Sequence, residues 1–96
     1  MPRYVSLINW TDQGVRNAKD TIQRAEQARQ AIEQLGGSLE VFWTIGRYDI
    51  VGILEAPDDE TATAFLLQTA GAGNIRSETL RAFTAEEVSG IIEKLG

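Results

Sequence analysis

The sequence predicts an α+β fold: a four-stranded antiparallel sheet, both crossover helices on one face, and a further helix at the C-terminus. Three observations carry this. Val41-Phe42-Trp43-Thr44-Ile45-Gly46-Arg47-Tyr48-Asp49-Ile50-Val51-Gly52-Ile53-Leu54 alternates as two strands folded back around Gly46-Arg47. A strand-like run and a helix-period run precede it, and a helix-period run and a strand-like run follow it. Two βαβ units with right-handed crossovers, joined by a hairpin, then give a sheet of order 4-1-3-2.

Tyr4-Val5-Ser6-Leu7-Ile8-Asn9-Trp10 reads as the first strand, with Val5 and Leu7 on one side and Tyr4, Ser6, Ile8 and Trp10 on the other. Thr11 suits a helix N-cap, because its hydroxyl accepts an orphan backbone N–H. Apolar positions at Val15, Ala18, Ile22, Ala25, Ala28, Ile32 and Leu35 mark one helix face. Asp20 with Gln23 offers a second cap, so a break near Lys19-Asp20 is expected. Gly36-Gly37 ends the helix.

In the hairpin, Gly at the first turn position favours a two-residue type II′ connection, since only Gly takes positive φ there without strain. Ile45 would then oppose Tyr48, Thr44 Asp49, Trp43 Ile50, Phe42 Val51 and Val41 Gly52. One face collects Leu39, Val41, Trp43, Ile45, Tyr48, Ile50, Gly52 and Leu54, the expected seat of the helices. The other collects Glu40, Phe42, Thr44, Asp49, Val51, Ile53 and Glu55, apolar in its middle. Pro57-Asp58-Asp59-Glu60 opens a second helix, with acids at the positive end of its dipole. Gly71-Ala72-Gly73 follows a helix and precedes a strand, the reverse of a phosphate loop, and reads as a turn. The last strand runs Asn74–Phe83. Thr84 with Glu87 forms a capping box for a final helix carrying Val88, Ile91, Ile92 and Leu95.

This is the ferredoxin-like βαββαβ arrangement with a C-terminal helix. One sheet face is then bare, and here it is expected to carry Phe42, Val51 and Ile53, with Ile8 and Trp10 of the first strand. Burying such side chains is worth roughly 1.5 to 3 kcal/mol each. Two subunits stacked sheet to sheet would bury them, so a homodimer or higher homo-oligomer forming a dimeric α/β barrel is expected.

Length and composition narrow the function. The 96 residues make one domain, 1–96. Net charge is −5, from 9 basic and 14 acidic residues, and the bases form no run or stripe. Nucleic-acid binding needs clustered Lys and Arg, so no nucleic-acid partner is expected. The absence of Cys excludes disulfides, thiolate metal sites and a Cys nucleophile. The absence of His removes the commonest general base and transition-metal ligand, and neither metal nor cofactor is expected. Met1-Pro2-Arg3-Tyr4 leads straight into a strand without the apolar segment of a signal peptide. No apolar run reaches the length of a membrane span, so a cytoplasmic protein without a membrane partner is expected.

Asp49 is the most pointed residue, because Asp is depleted in strands. It either fixes the hairpin by bonding turn amides or Thr44, or serves as a partly buried carboxylate that orients a ligand. In the second reading it shares an inter-sheet cavity with Tyr4, Ser6, Trp10 and Thr44, and with Arg81 if the last strand presents its Ser77/Thr79/Arg81 side. The candidate ligand-binding set is Asp49, Tyr48, Thr44, Trp10 and Arg81, with Gly46 at the turn. No catalytic residue is assigned.

Trp43-Thr44-Ile45-Gly46-Arg47-Tyr48-Asp49, with Asn9-Trp10-Thr11-Asp12-Gln13-Gly14 upstream, resembles the GYD domain family, named for a Gly-x-Tyr-Asp signature met by Gly46, Tyr48 and Asp49. Glu55-Ala56-Pro57-Asp58-Asp59-Glu60 and Gly73–Phe83 add to the resemblance, which spans nearly the whole chain. It implies a small bacterial protein of the dimeric α/β-barrel kind, with no established activity. Three functional readings follow: a homo-oligomeric small-ligand-binding or structural module, a cofactor-free isomerase or oxygenase acting on an aromatic or quinone-like molecule, and a regulatory protein-binding subunit.

Overall fold

β1 (Arg3–Trp10), β2 (Ser38–Trp43), β3 (Ile50–Glu55) and β4 (Ile75–Ala82) pair antiparallel throughout, in the order β2-β3-β1-β4. This is the expected order, counted from the opposite edge. The computed structural model describes all residues, Met1–Gly96. Helices α1 (Asp12–Arg16), α2 (Thr21–Gln34) and α3 (Asp59–Gly71) fill the crossovers, and α4 (Ala85–Ile92) follows β4. The fold is ferredoxin-like α+β. The sheet is open, with β2 and β4 as its edges, and a single chain closes no barrel.

The helix starts follow from local chemistry. Thr11 Oγ1 accepts the Gly14 N–H at 3.1 Å. Asp58 Oδ1 accepts the Thr61 N–H at 2.7 Å, and these Thr61 bonds hold the Asp58 carboxyl below its ordinary value. Thr84 and Glu87 exchange both bonds of the capping box, at 2.9 and 3.1 Å. The expected break in the first crossover is real: a 3₁₀ turn over Ala18–Asp20 separates α1 from α2, although the Asp20 side chain makes no cap bond. Gly36, at φ +88°, ends α2 as expected.

The core lies between the sheet and α2 and α3. Tyr4, Leu54, Ala56, Ile32, Ala62 and Phe65 are its buried members, and Leu39, Ala28, Ala31 and Leu66 pack against them. Paired residues share a face, so this side also holds Ser6, Ile8, Trp10, Val41, Ile50 and Gly52 of the central strands. Leu39, Val41, Ile50, Gly52 and Leu54 therefore face the helices as expected.

Three expectations are corrected. First, Ile8 and Trp10 lie on the helix side, not on the bare face; Val5 and Leu7 take the bare face, paired with Ile53 and Val51. The reason is long-range: the Tyr4 hydroxyl donates to Asp59 on α3, which fixes that side of β1 against the helices, while within the sheet the Ser6 hydroxyl pairs with Thr79 of β4. Second, the hairpin register is as expected from Trp43↔Ile50 to Val41↔Gly52, but the strands stop there and residues 44–49 form a six-residue connection. Asp49 donates its N–H to the Ile8 carbonyl and accepts the Thr44 N–H at its own carbonyl, both at 2.9 Å, so it bridges the β1 edge and the first residue after β2. Ile45 is consequently in solvent, and Gly46, at φ +128°, is the one loop residue with positive φ. Third, Val15 and Ile22 are exposed, at 54% and 71%, whereas Ala25 and Ala28 of the same expected face are half-buried and Ile32 is buried.

The face away from α2 and α3 carries Val5, Leu7, Phe42, Val51, Ile53 and Leu80 in its middle. Arg3, Glu40, Glu55, Arg76 and Glu78 surround them, Arg3 paired with Glu55 at 2.5 Å. On α4, Val88, Ile91 and Ile92 are exposed. The subunit is long and thin, 52 × 31 × 17 Å.

Candidate functional site

Two places gather polar groups on an apolar frame. The first is the 44–49 loop at the end of β1. Thr44 N–H donates to the Asp49 carbonyl at 2.9 Å, and Thr44 Oγ1 donates to the Tyr48 carbonyl at 2.6 Å. Asp49 Oδ2 accepts the Trp10 N–H at 3.0 Å, satisfying a backbone donor at the strand end. Asp49 thus holds the loop to β1 through its side chain and N–H, and across the hairpin to Thr44 through its carbonyl. The Tyr48 hydroxyl lies 3.3 Å from Glu78 Oε2, and the Arg47 guanidinium stands 5.6 Å from the Tyr48 ring centre. Trp43 Nε1 donates to Thr21 Oγ1 at 3.0 Å, tying β2 to the start of α2.

The second is a cavity of about 320 Å³ between the sheet and the α2–α3 pair. Ile8, Leu39, Val41 and Ile50 line its sheet wall, and Ala25 and Ala28 line its α2 wall. Trp10 and Arg24 also line it. Trp10 Nε1 is buried with no hydrogen-bond partner, while Arg24 donates to the carbonyls of Asn17 (2.7 Å) and Gly14 (3.4 Å) and forms no ion pair.

Of the candidate set, the structure joins Asp49, Thr44, Tyr48 and the Trp10 backbone at one end of the sheet. Arg81 stands apart: it pairs with Tyr4, whereas Asp49 bonds Ile8, four residues along β1 or roughly 13 Å away. Arg81 lies over the Phe83 ring at 4.5 Å and the Tyr4 ring at 5.6 Å. Burial and then the Asp59 bond push the Tyr4 hydroxyl up to about 12. No cluster of three or more metal-ligating side chains is present.

The helix-side cavity is the feature that the sequence reading missed. Its signal was the run of alanines, Ala25, Ala28 and Ala31, where a densely packed sheet-facing helix would carry larger side chains. Reading that signal also required knowing which side of β1 faces α2.

An open antiparallel sheet with two helices on one face, a loop bonded to the central strand and an apolar free face define a ferredoxin-like α+β protein. The GYD domain family model matches residues 4–92, and the chain belongs to that family. A relative from Thermus thermophilus, the glutamine synthetase and cystathionine beta-lyase binding protein, is 28% identical over 92% of this chain and 95% of its own. Among solved structures, TTHA0845 from Thermus thermophilus superposes with a TM-score of 0.56 at 28% identity, covering 88% of this chain and 96% of that one. A dimeric ferredoxin-like protein of unknown function from Thermobifida fusca YX matches with a TM-score of 0.47 at 14% identity, over 84% and 90% of the two chains. No helix is long and apolar enough to cross a membrane.

Proposed function

We propose that this chain is a homo-oligomeric, cytoplasmic binding module, in which two copies stack their open sheet faces into a dimeric barrel and present the 44–49 loops to a partner. The observation that carries the reading is the free sheet face. Val5, Leu7, Phe42, Val51, Ile53 and Leu80 form a contiguous apolar middle on the side away from α2 and α3, with Phe42 46% and Leu80 47% exposed. Its surround holds both signs of charge, Arg3 and Arg76 with Glu40, Glu55 and Glu78, so a second copy turned by a two-fold axis can meet acid with base. Sedimentation tests it: the wild type should run as a dimer or larger, and Phe42→Asp should run as a folded monomer. A wild-type monomer at about 100 μM would remove the assembly, since stable interfaces hold well below that concentration.

A protein as partner is favoured by the Thermus relative, a glutamine synthetase and cystathionine beta-lyase binding protein. The proposed contact set is the signature loop, where Asp49 and Thr44 fix the backbone and Gly46 turns it. Ile45 stands wholly in solvent there, beside Tyr48 and Arg47. An apolar side chain held outward on a braced loop is a suitable anchor for a protein surface. Ile45→Ser should weaken capture of the host's purified glutamine synthetase without changing the sedimentation of the protein alone. The isomerase or oxygenase reading draws no support from the geometry, because the Asp49 carboxylate serves the Trp10 N–H and Arg81 does not converge on it.

A further inference from the structure

We infer that the outer edge of β2 is a second interface between copies of this chain, in which β2 pairs antiparallel with β2 of another copy about a two-fold axis at Val41. The direction of the backbone groups comes first. Thr44, one residue past β2, donates its N–H across the hairpin to the Asp49 carbonyl at 2.9 Å. With period 2, the backbone groups of Phe42, Glu40 and Ser38 also point to β3. Those of Leu39, Val41 and Trp43 therefore point outward, where no other strand of the chain reaches them. Exposed edges are ordinarily guarded by lysine, proline or a bulge. β2 has none of these, and Glu40 is the one charge in its six residues. The opposite edge, β4, carries Arg76, Glu78 and Arg81. Large apolar side chains are also exposed along β2. Phe42 and Trp43 are 46% and 43% exposed, and Ile22, next to the Thr21 that bonds Trp43, is 71% exposed.

A second copy is the occupant because β2 complements itself. Outward groups of two such strands meet only when odd-numbered residues oppose odd-numbered ones. With Val41 opposite Val41, each Leu39 opposes a Trp43 and each Glu40 opposes a Phe42, so every outward N–H of the strand finds a carbonyl. Sliding one step one way sets Glu40 against Glu40, like charges directly opposite. Sliding the other way leaves Leu39 beyond the end of the facing strand. The pairing is isologous and closes on itself. It joins two sheets edge to edge and leaves their free faces open, so it adds to the stacked contact and does not depend on it.

Val41→Pro tests it. The Val41 N–H points away from β3, so proline removes a donor at the outer edge without cutting the β2–β3 ladder. In sedimentation at about 100 μM the assembly should halve in mass. It should go from tetramer to dimer where the faces also stack, and from dimer to monomer where they do not. The variant leaves the free face intact, so its outcome is separate from that of the stacked faces. Amide hydrogen exchange on the wild type gives a readout that stands even if the variant does not fold. The N–H groups of Leu39, Val41 and Trp43 should be protected as strongly as those of Glu40 and Phe42. An unchanged mass in a natively folded Val41→Pro, or free exchange at those three amides, overturns the assignment and leaves β2 open to some other chain. On β4, the Asn74 carbonyl accepts the Thr11 N–H, so even-numbered residues face β1 and Ser77 and Thr79 point outward. Protection that extends to the Ser77 and Thr79 amides also overturns it, because β4 of another copy would then be the strand on β2.

Discussion

Single residues hold this sheet in place through bonds that cross long stretches of chain. Asp49 is the clearest: its side chain accepts the Trp10 N–H and its own N–H reaches the Ile8 carbonyl, so one residue joins the signature loop to the central strand. Asp49→Ala strips the acceptor from a partly buried backbone donor and should lower stability by about 1 to 3 kcal/mol in urea unfolding. A smaller change would mean that the loop is held by its backbone bonds alone. Tyr4 makes the corresponding bond on the helix side, to Asp59 in the first turn of α3. Its hydroxyl is raised from an ordinary 10.0 to about 12, first by burial and then by the Asp59 bond. A group whose folded value lies above its unfolded value contributes fully below the unfolded value and is lost as pH rises through the folded one. Urea midpoints should therefore hold up to about pH 10 and fall between pH 10 and 12 more steeply than in Tyr4→Phe, which has no proton to lose there.

At the scale of elements, α1 shows how closely one short helix is seated. A methyl group built on Gly14 would overlap the Asn74 carbonyl oxygen and stand 2.9 Å from its carbon, and Asn74 cannot retreat because its carbonyl accepts the Thr11 N–H at 3.1 Å. Gly14→Ala should thus cost roughly 1 to 3 kcal/mol, the usual range for overpacking, despite the better helix propensity of alanine. Thermal melts that show a gain would place α1 off the turn. The elements legible in the sequence are those whose signals are local. Thr11 and Thr84 each cap a helix three residues ahead, and the hairpin register from Trp43 to Val41 follows from alternation alone. What was not legible depended on distant partners. Either side of β1 looked apolar enough to face the helices, and the Tyr4–Asp59 bond to α3 decides between them. The hairpin strands also stop two residues early on each side of the turn, where Asp49 bonds Ile8 of β1.

On the scale of the whole molecule, the proportions argue for a partner copy. The Cα radius of gyration is 14.6 Å, against about 12.5 Å for a compact domain of this length. Only 10 of 96 residues are buried, so the isolated subunit has a thin core and two unused apolar surfaces, the free sheet face and the exposed side of α4. A capping box starts α4 by satisfying two of its orphan N–H donors. Val88, Ile91 and Ile92 are then 39%, 43% and 56% exposed, on a helix that extends the subunit without covering its core. We expect α4 to lie against the second copy and reinforce the stacked sheets. A chain ending at Phe83 should keep its far-ultraviolet spectrum for the sheet, α2 and α3, yet dissociate at least about tenfold more readily in sedimentation equilibrium, since each well-buried side chain of this size contributes roughly 1.5 to 3 kcal/mol. If truncation instead unfolds the sheet, α4 stabilises its own subunit; if the dimer constant is unchanged, the sheet faces alone hold the copies together.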